Sequence, residues 1–241
     1  MKVINDLVGY DNLKIVQNSE WFMFSLDSVL LPNFVTINKT TKKALDLGTG
    51  NAPIPLILST RNVDKIYGIE IQKEVYEMAS ETIEINNLRD KVILINDDMK
   101  NLENYFPFNS FDLILSNPPY FKKSKESRLN ENIHKTIARH EITITVKDII
   151  EIAKKFLDNK GIFAMVHRTE RLTEIIELMR QNSIEPKRIR FIYPKEGRES
   201  NMFMIEGVKN GNPGLKILPP LYAHEQDGTY TAEILDNFKK E

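Results

Sequence analysis

The sequence predicts an α/β fold, a doubly wound and mostly parallel sheet of seven strands, on three observations. Short β-branched runs alternate with stretches of helical apolar spacing, the order that forces a parallel sheet with helices on both faces. A glycine turn, Asp46-Leu47-Gly48-Thr49-Gly50, separates the first buried run from its helix. A stiff corner, Asn117-Pro118-Pro119-Tyr120, stands directly behind the fourth run, Phe111 to Leu115. In an open α/β sheet ligands sit at that carboxyl edge.

Residues 1–36 read as an N-terminal hairpin and lid, 37–208 as the sheet domain, and 209–241 as an extension packed on it. Leu7 to Val16 reads as a short hairpin turning at Asp11-Asn12, and Ser25 to Leu31 as a capped helix start cut short by Pro32. The first strand, Ala44 to Leu47, leads through Gly48 and Gly50 into apolar residues at helical spacing. Glycine lets the backbone approach a bound molecule, and the helix start offers unpaired N–H groups. The dinucleotide pattern fails, because its third glycine position is Pro53, and the phosphate loop with Gly-Lys-Ser/Thr is absent. An acid just before G-x-G is the version suited to S-adenosylmethionine, where no pyrophosphate has to be cradled.

Lys65 to Glu70 is the second strand, ending on an acid twenty residues past Gly50, where a carboxylate can accept both ribose hydroxyls. Gln72 to Asn87 is helical, with Val75, Met78, Ala79 and Ile83 on one face. The third strand, Lys91 to Ile95, runs into Asn96-Asp97-Asp98-Met99. There an acid, Asp98 in preference to Asp97, can take an adenine amino group while Met99 packs on the ring. Beyond the fourth strand, Thr145 with Asp148 three residues on marks a capped helix through Asp158. Gly161 to Val166 is the fifth strand and Thr169 to Asn182 a helix; Arg188–Tyr193 and Asn201–Glu206 close as a hairpin. The Pro/Gly-rich run from Asn210 to Pro220 reads as a surface loop.

Composition narrows the function classes. At 41% apolar and 28% charged residues, the 241-residue chain suits one soluble α/β domain with an appendage. It has no cysteine, which excludes disulfides, thiolate nucleophiles and Cys-based metal sites. His134, His140, His167 and His224 lack the paired spacing of metal ligands, so no metal is expected. No apolar run approaches a membrane span and no signal-peptide core opens the chain, so a cytoplasmic protein is expected. The net charge of −1 is unevenly spread. Residues 121–140 carry a local excess of +4 and residues 185–198 one of +3, leaving −8 on the remainder. Such segregation is what a polyanion-facing surface looks like, and a solvated surface is the alternative.

The Asn117 corner carries the chemistry. Proline fixes its own φ and forces the residue before it out of the helical region, so Asn117 is held extended. An exocyclic amine on a base is a poor nucleophile, because its lone pair is delocalised into the ring. Two acceptors aimed at its two N–H bonds, the Asn117 side-chain oxygen and the Pro118 carbonyl, draw the nitrogen toward tetrahedral geometry and free that lone pair. The Tyr120 ring can hold the flat base by stacking. A loop corner with no chemical task is the alternative.

Several pieces together resemble class I S-adenosylmethionine-dependent methyltransferases of the Asn-Pro-Pro-Tyr kind. They are Phe24 to Leu31, Asp46 to Gly50, Asn117 to Phe121, Ala138-Arg139-His140-Glu141, Val166-His167-Arg168 and Leu218-Pro219-Pro220-Leu221. More narrowly, the chain is similar to the bacterial family that N6-methylates the adenine 3′ of the anticodon in a valine tRNA. The resemblance spans nearly the whole chain, and the first and the Arg-His-Glu pieces are its more specific parts. One departure is Asn51-Ala52-Pro53, where relatives carry a further glycine; a stiffer loop is expected there.

The resemblance implies a Rossmann-like class I methyltransferase fold, S-adenosyl-L-methionine as cofactor and tRNA as partner. It implies cofactor contacts from Ser25, Asp27, Asp46, Gly48, Thr49, Gly50, Glu70, Ile71, Asp97, Asp98, Met99 and Asn117. The catalytic residues it implies are Asn117, Pro118, Pro119 and Tyr120, with Lys122, Lys123, Arg139 and His140 on the substrate. Arg139 pairing with an acid inside the fold stays open. His140 as a general base is disfavoured, since a sulfonium is a strong methyl donor and in-line placement supplies most of the acceleration. Other readings are the same amino-methylation on an rRNA base, DNA adenine or protein glutamine, and a non-catalytic cofactor-binding scaffold for an RNA-binding partner. A monomer is favoured.

Overall fold

The computed structural model describes residues 2–7, 10–18, 26–118 and 144–237. Eleven strands are found among them. β3 (Lys43–Leu47), β4 (Lys65–Glu70), β5 (Val92–Asn96), β6 (Phe111–Ser116), β7 (Leu157–Arg168), β8 (Ile184–Tyr193) and β9 (Met202–Lys209) form the main sheet. They run in the order β8-β9-β7-β6-β3-β4-β5. Neighbours from β7 to β5 are parallel, whereas β9 is antiparallel to both β7 and β8. The expected mostly parallel sheet is therefore present, with β8 and β9 paired as a hairpin, but two short strands added beyond β8 bring it to nine strands among the described residues where seven were expected.

Alternation along the strands sends apolar side chains to both faces. Ala44, Leu113, Leu115, Ala164 and Val166 join one apolar cluster with α1 (Leu26–Phe34), α2 (Pro53–Leu58) and α3 (Lys73–Ile85). Leu45, Ile114, Phe163 and Met165 join the other, with α4 (Val146–Phe156) and α5 (Leu172–Gln181). Two helical layers on one sheet make the fold doubly wound. The chain turns from one half of the sheet to the other between β3 and β6, the position where ligands bind in open α/β sheets. Ser116 Oγ donates to the Leu47 carbonyl at 3.0 Å and ties those two carboxyl ends together.

The local signals behave as their chemistry demands. Thr145 and Asp148 form a complete capping box, and α4 stops two residues short of Asp158. α1 tolerates Pro32 near its end, where Arg61 Nη1 donates to the carbonyls of Pro32 and Val35. Pro186 falls inside β8, at a break in the β8–β9 register, where a residue without an N–H costs no ladder bond.

Two expectations are corrected. The opening hairpin does not turn at Asp11-Asn12: β1 (Lys2–Leu7) pairs with β2 (Tyr10–Asn18), and Leu7 lies opposite Tyr10. Those two residues sit within β2, because this register lets Leu7, Tyr10 and Ile15 enter the same apolar cluster as α1 and α2. The run from Asn210 to Pro220 is not wholly loop. β10 (Lys216–Ile217) and β11 (Leu221–Tyr222) each add to β8 in parallel, and α6 (Ala232–Asn237) follows. No helix among the described residues is long and apolar enough to cross a membrane.

Candidate active site

The glycine turn is built by three consecutive demands on the backbone. Gly48 (φ 75°) and Gly50 (φ 58°) take the left-handed region, and Ala52 follows at φ 70°. The N–H groups of Gly48 and Thr49 both donate to the Ile69 carbonyl, at 3.1 and 3.0 Å, which folds the turn onto the end of β4. Pro53 then opens α2 at its first turn, where its missing N–H costs nothing. Thr49 Oγ1 reaches back to Asp46 Oδ2 at 2.7 Å. Gly68 makes the room: a Cβ there would lie 2.9 Å from Thr49 Oγ1 and 2.8 Å from Leu94 Cδ2. Nothing local in the sequence marks Gly68 for that task.

Asp46 is 1% exposed, and burial pushes its carboxyl up to about 7; the Thr49 bond opposes the shift and the Glu70 charge adds to it. Its Oδ1 is buried and has no hydrogen-bond partner among the described residues. Glu70, also buried, is oriented by the backbone: Oε2 accepts from Gly50 N at 3.1 Å and Oε1 from Gln72 N at 2.9 Å. Ile71 beside it is exposed. Two carboxylates at adjoining strand ends, one of them short of a partner, make a place for a cation.

Asp97 and Asp98 part company in the structure. Asp97 is committed to its own loop, accepting from Asp98 N at 2.7 Å, Asn101 Nδ2 at 2.9 Å and the Tyr105 hydroxyl at 2.8 Å. Those bonds hold its carboxyl below the usual range. Asp98 caps the following 3₁₀ turn, Oδ1 accepting from Lys100 N at 2.9 Å. Met99 brings its Cε to within 3.7 Å of where a Cβ on Gly48 would lie, so it stands over the glycine turn.

Asn117 emerges half-buried from β6, and its Nδ2 donates to Ser28 Oγ on α1 at 2.9 Å. Asp27, the neighbour of Ser28, is buried at the same helix start. Asn51 Nδ2 donates to the Val16 carbonyl at 3.0 Å, so β2 is fastened to the glycine turn. The structure thus gathers Asp27, Asp46, Gly48, Thr49, Gly50, Glu70, Ile71, Asp98, Met99, Asn117 and Pro118 at one sheet edge. Ser28, Asn51 and Gly68 join them without the sequence having assigned them a role there. Ser25, Pro119, Tyr120, Lys122, Lys123, Arg139 and His140 lie outside the described residues.

A model of the methyltransferase small domain matches residues 26–183, from the start of α1 past the end of α5. The chain belongs to that methyltransferase family. Curated relatives named tRNA1(Val) (adenine(37)-N6)-methyltransferase include one from Parabacteroides distasonis, 28% identical over 75% of this chain and 74% of its own. One from Flavobacterium johnsoniae is 24% identical over 96% of this chain and 97% of its own. Among solved structures, a predicted O-methyltransferase from Agrobacterium tumefaciens superposes with a TM-score of 0.69 at 19% identity, covering 88% of this chain and 96% of its own. A geranyl diphosphate methyltransferase in complex with S-adenosylmethionine gives 0.55 at 12% identity, covering 76% of this chain and 84% of its own.

The methyltransferase uses S-adenosylmethionine, and the residues in place fit that cofactor. It carries a sulfonium and an ammonium, and Asp46, whose buried Oδ1 has no partner among the described residues, stands with Glu70 as negative charge suited to a cation.

The second basic stretch divides in a way its composition hides. Arg188 faces inward: Nη1 donates to Glu206 Oε1 at 2.8 Å and to Thr36 Oγ1, and the guanidinium lies 4.8 Å from the Phe34 ring centroid. Arg190 Nε donates to the Pro219 carbonyl at 3.0 Å, and the same guanidinium pairs with Glu233. Lys187 Nζ donates to the Asn212 carbonyl. Arg188 is thereby committed to the core, which removes it from the charge expected to face a polyanion, while Lys187 and Arg190 also brace the C-terminal extension. Lys195 and Arg198 follow the carboxyl end of β8, on the same sheet edge as Asn117, and line an open cleft with His224.

Proposed function

We propose that this methyltransferase methylates the N6 amino group of an adenine in tRNA, the adenine 3′ of the anticodon of a valine tRNA. The observation that carries the reading is Asn117-Pro118 at the end of β6, beside the glycine turn and with its amide anchored on α1. The names of the relatives supply the substrate. When bound, S-adenosylmethionine supplies a methyl group already activated on sulfur.

The chain's own residues then do three things. Asp46, Glu70, Asp98, Met99, Ile71 and the Gly48–Gly50 turn bind and orient the cofactor, with Ser25, Asp27 and Asp97 supporting that wall. Asn117 Oδ1 and the Pro118 carbonyl accept the two N–H bonds of the target amine, so that its lone pair points outward, while Pro119 stiffens the corner and Tyr120 stacks on the base. Once the methyl has moved, the surplus amine proton leaves to water. Lys122, Lys123, Arg139 and His140, with Lys195 and Arg198 across the edge, meet phosphates of the RNA. Residues 1–36 cover this edge, 37–208 carry the chemistry and 209–241 brace β8.

Nucleoside mass spectrometry on tRNA from cells with and without the gene tests the reading. N6-methyladenosine should disappear from one valine tRNA in the deletion strain and return with the purified protein. Unchanged tRNA, with loss of a methylated base in rRNA or DNA, would move the substrate and leave the chemistry.

A further inference from the structure

We infer that Ser28 is a positioning residue for methyl transfer, its hydroxyl fixing the Asn117 amide from the first turn of α1. The inference rests on the proposed role of Asn117 at the target amine. Ser28 Oγ accepts from Asn117 Nδ2 at 2.9 Å across a separation of 89 residues, and Ser28 is 7% exposed.

The need for such an anchor lies in the side chain itself. Pro118 restrains the Asn117 backbone but leaves its side chain to turn, and the last torsion of an asparagine is broad and nearly two-fold. Nothing within the residue decides whether its oxygen or its NH2 faces the cleft. With the NH2 forward, donors would confront donors and the amine would lose one of its two acceptors. Nδ2 and Oδ1 diverge from the trigonal Cγ, so tying Nδ2 to α1 turns Oδ1 away from the Ser28 hydroxyl. The Pro118 carbonyl needs no such help, being part of the backbone.

Both ends of the tie are immobilised. Val29, Leu30 and Leu31, which follow Ser28, are at most 2% exposed, and α1 packs on α2. Ser116, which precedes Asn117, is bonded to Leu47. A hydroxyl set in that wall holds the amide at its working angle before any substrate arrives, the preorganisation that transfer to a weak nucleophile needs.

Four proteins test this: wild type, Ser28→Ala, Asn117→Ala and the double variant, each assayed for kcat, KM for tRNA, S-adenosylmethionine affinity and melting temperature. Ser28→Ala should lower kcat about 10-fold while KM, cofactor affinity and melting temperature hold. Ser28→Thr, which keeps the hydroxyl, should recover most of the rate. The double variant should be no slower than Asn117→Ala alone, because without the amide there is nothing to position. A wild-type rate in Ser28→Ala, or a further 10-fold loss in the double variant, overturns the inference and leaves Asn117 untouched. A wild-type rate in Asn117→Ala removes the parent reading and this one with it. Should Ser28→Ala melt early, Ser28→Cys, of similar volume and a weaker acceptor, takes its place with an expected rate between those of alanine and serine.

Discussion

Thr49 Oγ1 holds Asp46 Oδ2 at 2.7 Å, while Oδ1 of the same buried carboxylate has no partner among the described residues. The carboxylate is thus half satisfied within the fold, and burial, opposed by the Thr49 bond and reinforced by the Glu70 charge, raises its pKa. An ordinary carboxyl in the unfolded chain titrates at ~3.9, whereas burial pushes the folded Asp46 carboxyl up to about 7. Between those values the folded state binds more protons than the unfolded one, so this group makes stability fall as pH rises from ~4 to ~7. The melting temperature of Asp46→Asn should lack that part of the slope. S-adenosylmethionine should bind more tightly as pH rises through 7, because it meets the ionised form. Identical pH profiles for the two proteins would remove Asp46 from the cofactor site.

Glu70 tests the other carboxylate. Glu70→Ala should weaken S-adenosylmethionine binding by about 1–3 kcal/mol, the cost of leaving polar ligand groups without their charged acceptor. It should also lower the melting temperature of the free protein, since Gly50 N and Gln72 N lose their partner. NAD should give no heat with either protein. Calorimetry that finds unchanged cofactor affinity in Glu70→Ala would refute the assignment.

Ala52 occupies a left-handed conformation that suits glycine, at φ 70°. Ala52→Gly should raise stability by about 0.5 kcal/mol, the relief of backbone strain offset by a more flexible unfolded chain. Gly50→Ala, at φ 58° and with no atom of the described residues within 4 Å of the added Cβ, should cost about 1 kcal/mol through the backbone. Denaturant unfolding of the free protein reads both, and a destabilised Ala52→Gly would show that the turn draws no strain from its alanine.

Variants at Arg188 and Lys122 test whether charge that holds the fold can be told apart from charge proposed to meet RNA. Arg188→Met leaves the 4%-exposed Glu206 without its cation and should cost about 3 kcal/mol in unfolding, with tRNA affinity unchanged in the folded protein. Lys122→Glu with Lys123→Glu should do the reverse, weakening tRNA binding at low salt and flattening its salt dependence while stability holds. RNA affinity indifferent to salt and to Lys122 and Lys123 would leave that stretch as solvated surface.

What the chain reveals on its own is whatever operates over a few residues. The Thr145–Asp148 capping box, the glycine turn from Gly48, the acids ending β3 and β4 and the two-faced apolar strands all act through neighbouring backbone, so their types and spacing announce them. That is enough to predict the fold class, the cofactor edge and the Asn117 corner. Tertiary structure alone decided the partnerships across the chain. Arg188 reads like any surface arginine until β9 brings Glu206 beside it and α1 brings Phe34 beneath it. Ser28 reads as a helix opening until β6 delivers Asn117, 89 positions later. Gly68 reads as a weak point in a strand until Thr49 folds over it. Propensity and periodicity are set by each residue's own sterics and its close neighbours, whereas these contacts are set by which faces the packed layers bring together, and a single sequence carries no local mark of them.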